Sequence, residues 1–273
     1  MDIDSIKKEF PIFDNKVQNN DLVYLDSANS SQKPRVVIDR IYDFYSKEFS
    51  NVGRSVHYLA VAATNLYENT RTSVQRYINA KDKNEIVFTK GATEAINLVA
   101  NTFGQKYLEE GDEVLLTELE HHSNYVPWHF LRNSKKIKIE FAEINEAGEI
   151  TIEAIKNKIT NKTKIISVTH LSNVTGAILP IKEIVELAHS KNIPVLVDGC
   201  QGAPHLKLDM QELDCDFYAI SGHKMYGPTG IGVLYAKKKW LDDLPPYQGG
   251  GGMINEVKKT GISYGELPNK YEA

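Results

Sequence analysis

The sequence predicts an α/β fold in which a mostly parallel sheet lies between layers of helices. Helical periods and short β-rich runs alternate for most of the 273 residues. Several of these runs, such as residues 164–169 and 194–198, are apolar and β-branched, which is typical of buried parallel strands. The composition, 41% hydrophobic and 25% charged, is ordinary for a globular protein with one large domain.

The first half of the chain contains two predicted helix–strand pairs. Helical spacing over residues 62–78 predicts the first helix, and the β-branched and aromatic run 85–89 predicts the strand that follows it. A second helix is predicted over residues 93–108, and the apolar run 113–117 predicts a second strand.

The second half continues the alternation. A strand is predicted over residues 164–169, and helical spacing predicts a helix over residues 181–190, with Pro180 placed at its start. The remaining strands are predicted over residues 194–198, 217–220 and 232–236.

Charge and composition argue against several functional classes. The net charge of −4 gives no electrostatic footprint for nucleic acid or an anionic membrane, and the run 237–239 of lysines is expected on a solvated face. No apolar run approaches the ~20 residues of a membrane helix. The acidic N-terminus lacks the layout of a signal peptide. Two cysteines are too few for a disulfide framework or a cysteine-rich metal site, so a cytoplasmic location without a bound metal is expected.

Polar residues follow each predicted strand, at the edge of the sheet where ligands of open α/β folds bind. A structural domain has no reason to repeat this arrangement so often. The segments concerned are residues 90–94, 120–124, 170–173, 198–201 and 221–224.

Lys224 is the sharpest candidate among these residues. It ends a Ser-Gly-His-Lys segment after a strand, and a Gly-rich turn follows it. A partly desolvated lysine in this position is suited to form an imine with an aldehyde cofactor. Ser221 and His223 could then contact a cofactor phosphate. The alternative is a surface lysine, the usual fate of a single lysine, and the context argues against it.

Asp198 ends an uncharged strand, where an unpaired buried carboxylate would be costly. A protonated pyridine nitrogen would be a suitable partner. Asp198 could instead cap the next turn. A metal is disfavoured because no second carboxylate lies nearby in sequence and His205 is not at a recognisable ligand spacing. Gln201 could reach a ring hydroxyl, or be a hydrogen-bonded turn residue.

The helix start after Gly91 offers free N–H groups to a phosphate, with the Thr93 hydroxyl in addition, although a tight turn with a threonine cap explains it equally. His121 and His122 could stack on a flat ring and move protons, or simply be solvated. Asn173 could bind a substrate carboxylate or a ring oxygen, or belong to an ordinary turn.

Together these segments resemble the class V aminotransferase-like, fold-type-I pyridoxal-phosphate enzymes. Among them the sequence is most similar to the SUF-type cysteine desulfurases, which include selenocysteine lyases. The resemblance covers essentially the whole chain and implies the large domain of a fold-type-I transferase, with a mostly parallel seven-stranded sheet between helices. It is carried by residues 24–28, 32–34, 91–94, 120–124, 198–201, 221–228 and 249–254.

The resemblance also implies roles for individual residues. Lys224 would hold pyridoxal 5'-phosphate covalently, Asp198 would pair with the pyridine nitrogen, and His121 would stack on the ring and help to move protons. The further implied cofactor contacts are Ala92, Thr93, Asn173, Gln201, Ser221 and His223. The implied substrate contacts are Ala28, Arg54 and Asn173.

Two departures from the family pattern stand out. Gly53 and Ser55 replace residues that the family commonly has around Arg54, whereas Arg54 and His57 match. Members of the family also continue far beyond residue 273. The chain is therefore expected to comprise an N-terminal segment over residues 1–30 and a cofactor-binding large domain over residues 31–273, without the C-terminal small domain.

The missing part would carry the nucleophilic cysteine loop, so this chain is expected to lack turnover. Cys200 and Cys215 are interpreted as packing residues. The implied activity of the family is conversion of L-cysteine to L-alanine with persulfide transfer to an acceptor protein for iron–sulfur cluster assembly, by a homodimer.

Two alternative functions stay open at this stage, and a third is set aside. A selenocysteine lyase or another class V lyase or epimerase is the nearest alternative, and a binding module that has lost its chemistry is another. A dinucleotide-binding enzyme is set aside because no Gly-x-Gly-x-x-Gly follows an early strand.

Overall fold

The computed structural model describes residues 2–273 and contains a central seven-stranded sheet with a small hairpin on either side of it in sequence. The strands are β1 (Lys16–Val17), β2 (Asn20–Asp21), β3 (Ile86–Thr89), β4 (Glu113–Thr117), β5 (Lys138–Ala142), β6 (Thr163–Thr169), β7 (Val195–Asp198), β8 (Phe217–Ser221), β9 (Gly232–Ala236), β10 (Ile254–Lys258) and β11 (Gly261–Tyr264). The helices are α1 (Ile3–Lys8), α2 (Arg35–Asp43), α3 (Tyr58–Tyr77), α4 (Ala92–Tyr107), α5 (Val126–Lys135), α6 (Ile152–Lys158), α7 (Ile181–His189), α8 (Gly202–His205), α9 (Met210–Leu213) and α10 (Lys238–Asp243).

The central sheet has the strand order β3-β9-β8-β7-β6-β4-β5. Strand β9 runs antiparallel to both β3 and β8, and the other neighbouring pairs are parallel. The carboxyl ends of β6, β7 and β8 therefore meet at one edge of the sheet. Because β8 and β9 are antiparallel neighbours, the segment that joins them turns back at this same edge.

Alternation along the strands builds the core on both faces of the sheet. In β4, Leu115 packs into one buried apolar cluster, whereas Val114 and Leu116 pack into the other. All three side chains are fully buried. Both faces are covered by helices, which explains why these strands are apolar throughout rather than alternating.

The predicted α/β class and mostly parallel sheet are confirmed. Each predicted helix and strand is present, the strands at 113–117 and 232–236 with the predicted ends and the others with ends shifted. Helix α3 begins at Tyr58, earlier than predicted, because the His57 side chain caps it by accepting a hydrogen bond from Ala60 N at 3.3 Å. The predictions omitted β5. This strand lies at the sheet edge and carries Lys138 and Glu140, so its sequence lacks the apolar run of a buried strand.

Strand β3 forms the opposite edge of the sheet, and a buried ion pair covers this edge by hydrogen bonding to the β3 backbone. Arg71 is fully buried in α3 and binds the Glu272 carboxylate through two bonds of 2.7 and 2.8 Å. The same two side chains contact the strand backbone. Arg71 donates to Ile86 O at 2.7 Å, and Glu272 accepts from Phe88 N at 2.6 Å.

The N-terminal residues 2–30 contribute no strand to the central sheet. They form α1 and the β1–β2 hairpin before the chain reaches α2 and the π-helical turn Phe44–Glu48. Within residues 2–273, no helix combines the length and the apolar character needed to cross a membrane.

Candidate active site

A cavity opens to solvent at the carboxyl edge of β6, β7 and β8. All the residues predicted to contact the cofactor line this one cavity: Ala92, Thr93, His121, Asn173, Asp198, Gln201, Ser221, His223 and Lys224. The segments that carry them are far apart in sequence, and the parallel strands bring them together.

Asp198 is the last residue of β7 and supplies a buried negative charge to the cavity. Its side chain is only 3% exposed. The Oδ1 atom accepts a hydrogen bond from Cys200 N at 3.0 Å, as a turn-capping aspartate would. Within the described residues no Lys, Arg or His forms a salt bridge with this carboxylate, so it can pair with a cationic ligand in the cavity.

Lys224 lies in the single 3₁₀ turn Gly222–Lys224 that follows β8. The turn is closed by Met225 N and Gly227 N, which both donate to Gly222 O, at 2.9 and 3.0 Å. A side chain at Gly222 would collide with Ile231, because a Cβ atom there would lie 2.7 Å from Ile231 Cγ2. The turn is therefore compact, and it leaves Lys224 half-buried with its side chain lining the cavity.

His121 begins the 3₁₀ turn His122–Asn124 after β4. Its Nδ1 atom accepts from Ser123 N at 3.2 Å and lies 2.7 Å from Ser123 Oγ. The neutral ring therefore carries its proton on Nε2. Burial lowers the pKa of His121, the Asp198 charge opposes this effect, and the Lys224 charge adds to it. The imidazole is thus a neutral base near pH 7.

The N-terminus of α4 and the end of β8 form the part of the cavity suited to a phosphate. Ser221 Oγ accepts from Ala92 N at 2.9 Å and so joins β8 to the first turn of α4. Gly232 sits directly beside Gly91, and a Cβ atom at Gly232 would lie 2.4 Å from Gly91 Cα. The Thr93 hydroxyl is exposed at the helix start, where unpaired N–H groups and the helix dipole attract anions.

Gln201 and Asn173 occupy different surroundings in the same cavity. Gln201 is 4% exposed, and its Nε2 donates to Ala28 O at 2.6 Å. Its amide group therefore already has a protein partner, as the turn-residue alternative supposed, while the side chain still lines the cavity. Asn173 is exposed in the loop after β6. The hydrogen bond from Gln201 also brings Ala28 to the edge of the site.

The structure does not bring Arg54 into this cavity. Arg54 lines a second cavity with Tyr67 and Glu272, and its Nη2 donates to Ile254 O. Gly53, one of the departures from the family pattern, has φ +114°, in the region that favours glycine. A local backbone requirement thus explains the glycine at this position.

Two titratable residues next to the cavity, the half-buried Glu120 and the buried His170, were given no role in the sequence analysis. Glu120 accepts from Thr117 Oγ1 at 2.6 Å, Asn124 Nδ2 at 2.6 Å and Thr169 N at 2.9 Å, and burial raises its pKa to about 8. His170 Nδ1 lies 2.8 Å from Tyr218 Oη, and burial lowers its pKa to about 4. Their positions after β4 and β6 are the only signal of a role in the sequence. The sequence does not show which of the residues after a strand are buried, so this signal does not single them out.

Residues 23–273 match the family model for class-V aminotransferases. The chain belongs to this family. The fold agrees with that of solved class-V structures, and one of these is a C-DES variant with glycine covalently linked to its PLP cofactor, with 25% identity, a TM-score of 0.79, and coverage of 97% of this chain and 68% of the other.

Cysteine desulfurases are among the most similar class-V proteins. A probable cysteine desulfurase of Halalkalibacterium halodurans is 48% identical over 272 residues, which are 100% of this chain and 67% of the relative. The crystal structure of the cysteine desulfurase CsdA from Escherichia coli superposes with a TM-score of 0.91 at 38% identity, over 100% of this chain and 67% of that one. The chain thus spans about two thirds of the length of these relatives.

Pyridoxal phosphate is the cofactor of these class-V enzymes, and the donor set in the cavity fits it. A buried carboxylate without a salt-bridge partner among the described residues suits the protonated ring nitrogen, and a lysine on the adjacent strand end suits the aldehyde. The start of α4 suits the phosphate. Within residues 2–273, no group of three or more His, Cys, Asp or Glu side chains is arranged to hold a metal ion.

Proposed function

We propose that this chain is the cofactor-binding part of a pyridoxal-phosphate-dependent cysteine desulfurase. The observation that carries the proposal is that Lys224 and Asp198 line one cavity together with His121. The similarity to cysteine desulfurases over the whole chain supports the same activity. The enzyme would take sulfur from L-cysteine, release L-alanine, and pass the sulfur on as a persulfide.

The cofactor, when bound, supplies an electron sink for the carbanion that forms on the substrate. Asp198 would keep the ring nitrogen protonated, because its buried carboxylate gains a cationic partner in that state. Lys224 would bind the aldehyde carbon through Nζ and move protons at that atom. His121 would stack on the ring and exchange a proton at Nε2, since Nδ1 is held by Ser123.

We further propose phosphate contacts from Thr93, Ser221 and His223 and substrate contacts from Ala28 and Asn173. Arg54 lines the second cavity and not the one with Lys224. We propose a substrate contact for Arg54 only if the two cavities are joined when the substrate binds. The division into an N-terminal segment, residues 1–30, and a large domain, residues 31–273, belongs to the same proposal. So do a homodimer, a sulfur-acceptor protein, iron–sulfur cluster assembly and a cytoplasmic location.

Neither cysteine of the 273 residues is suited to attack the substrate sulfur. The Cys200 thiol has a pKa raised well above its ordinary value, chiefly by burial. Cys215 is fully buried, and burial raises its pKa in the same direction. The thiolate form of a cysteine is the nucleophile, and both thiols resist ionisation. We therefore expect the 273-residue chain to bind the cofactor without desulfurase turnover. Sustained release of alanine and sulfide by the purified chain would contradict this expectation.

The proposal is tested by reconstitution with pyridoxal phosphate. The bound cofactor should absorb at about 420 nm. Borohydride reduction followed by peptide mass spectrometry should find the cofactor mass on Lys224. A Lys224→Ala variant should lose both signals, whereas Lys182→Ala, at an exposed lysine paired with Glu212 on the surface, should keep them. If the cofactor were trapped elsewhere, or not at all, the chain would be a binding module without this chemistry.

A further inference from the structure

The peptide carbonyl of His223, directly before Lys224, accepts an unusual number of hydrogen bonds. It accepts from Ser31 N at 3.0 Å, from Ser31 Oγ at 3.0 Å and from Lys33 Nζ at 2.9 Å. Ser30 Oγ lies at 3.4 Å from the same oxygen. A carbonyl has two lone pairs, and one of these donors is a charged ammonium, so this oxygen is held more firmly than an ordinary turn carbonyl.

Holding this oxygen restrains the backbone at Lys224. The carbonyl of His223 and the N–H of Lys224 belong to one planar peptide unit, so a fixed oxygen fixes the plane from which the Lys224 side chain leaves. Ser31 also reaches the other side of the lysine, because its Oγ accepts from Tyr226 N at 2.8 Å. Tyr226 has φ +63°, a strained conformation for a tyrosine that persists only where its surroundings hold it.

Lys33 is partly enclosed by these contacts. Its ammonium donates to Ser31 O at 2.5 Å as well as to His223 O, and within residues 2–273 no carboxylate forms a salt bridge with it. Burial lowers the pKa of Lys33. Burial also lowers the pKa of His223, and the Lys224 and Lys33 charges both add to this effect, so the two ammonium groups act on one small region.

We propose that Ser31 and Lys33 are positioning residues that hold the peptide before Lys224 and aim its amine into the cavity. That this amine binds pyridoxal phosphate rests on the proposed function. The competing explanation is that these contacts only tie the segment before α2 to the turn that carries Lys224. A tie would affect the stability of the chain, whereas a positioning role also affects the reactivity of Lys224 in the folded chain.

The decisive variants are Lys33→Met, which keeps the length of the side chain without its donors, and Lys33→Arg, which restores donors to the same carbonyls. Lys182→Met is the control, since Lys182 is an exposed lysine paired with Glu212 on the surface. Each variant is studied below its unfolding temperature, as followed by circular dichroism. Three quantities are measured: the dissociation constant of pyridoxal phosphate, the rate of its capture on Lys224, and the rate at which a small acylating reagent modifies Lys224 without cofactor.

We expect Lys33→Met to slow capture and to alter acylation by about tenfold, the effect of losing the charge-assisted hydrogen bond to His223 O. Lys33→Arg should recover most of the loss, and Lys182→Met should match the unaltered chain. Equal capture and acylation in Lys33→Met would overturn the inference. Should Lys33→Met not fold, Ser31→Ala supplies the same comparison, because it removes the bridge between His223 O and Tyr226 N.

The two proposals fail in different ways in this experiment. If the unaltered chain captures no cofactor on Lys224, the proposed function fails, while the acylation rates still decide the positioning role. If the unaltered chain captures the cofactor and Lys33→Met matches it in both capture and acylation, the proposed function stands and the positioning role is wrong.

Discussion

Acidification from pH 7 to pH 5 should destabilise the fold through one buried histidine. His170 is 7% exposed and contacts Tyr218 Oη at 2.8 Å. Burial lowers its pKa from 6.5 to about 4. The unfolded chain therefore binds a proton at a pH where the folded chain does not, so the stability that His170 contributes is present above pH 6.5 and is lost as the pH falls towards 4.

The two pKa values give the magnitude. With 6.5 in the unfolded chain and about 4 in the folded chain, proton linkage at this one site removes about 2 kcal/mol of unfolding free energy between pH 7 and pH 5. Urea unfolding followed by circular dichroism at both pH values measures this loss. Other titrating groups contribute as well, so the quantity of interest is a difference between variants.

His170→Gln removes the titration and keeps a polar side chain near Tyr218, and the exposed His205 provides the control His205→Gln. The variant His170→Gln should be less stable than the unaltered chain at pH 7, but its loss between pH 7 and pH 5 should be smaller by about 2 kcal/mol. His205→Gln should keep the full loss. The reasoning is refuted if His170→Gln loses as much stability on acidification as the unaltered chain does.

Three further predictions concern single contacts. Glu272→Ala should cost about 3–5 kcal/mol in urea unfolding, because it leaves the fully buried Arg71 without its bidentate partner; a loss below 1 kcal/mol would contradict that assignment. Gly232→Ala should cost about 1–3 kcal/mol by thermal unfolding, since its Cβ would meet Gly91 Cα at 2.4 Å, and unchanged stability would refute the close approach. Asp198→Ala should weaken pyridoxal-phosphate binding by about tenfold or more in a fluorescence titration, while an unchanged dissociation constant would remove Asp198 from the site.

The sequence was sufficient for the buried strands of the sheet because they carry apolar runs that leave little ambiguity. The run 195–197 needs cover on both faces and therefore belongs inside a layered fold. The edge strand β5 escaped prediction because one of its faces meets solvent and tolerates Lys138 and Glu140. Its identity as a strand comes from pairing with β4, which is a long-range contact.

The residues of the candidate site were predictable for a related reason. Parallel strands end at a common edge, so polar residues that follow different strands must converge even when they are far apart in sequence. Arg54 lies in a loop outside that rule, and its position depends on the contact with Ile254. The contacts of Ser31 and Lys33 with the Lys224 turn span about 190 positions, and no local pattern reports them.

The Arg71–Glu272 pair has a consequence for association between molecules. An edge strand presents unpaired N–H and C=O groups to which a foreign strand can add, and this is a common start of aggregation. On β3 two of the outward groups, Ile86 O and Phe88 N, are already bonded to the guanidinium and the carboxylate. Two side chains thus imitate the hydrogen bonding of an eighth strand, and they protect this border of the sheet from intermolecular β-pairing.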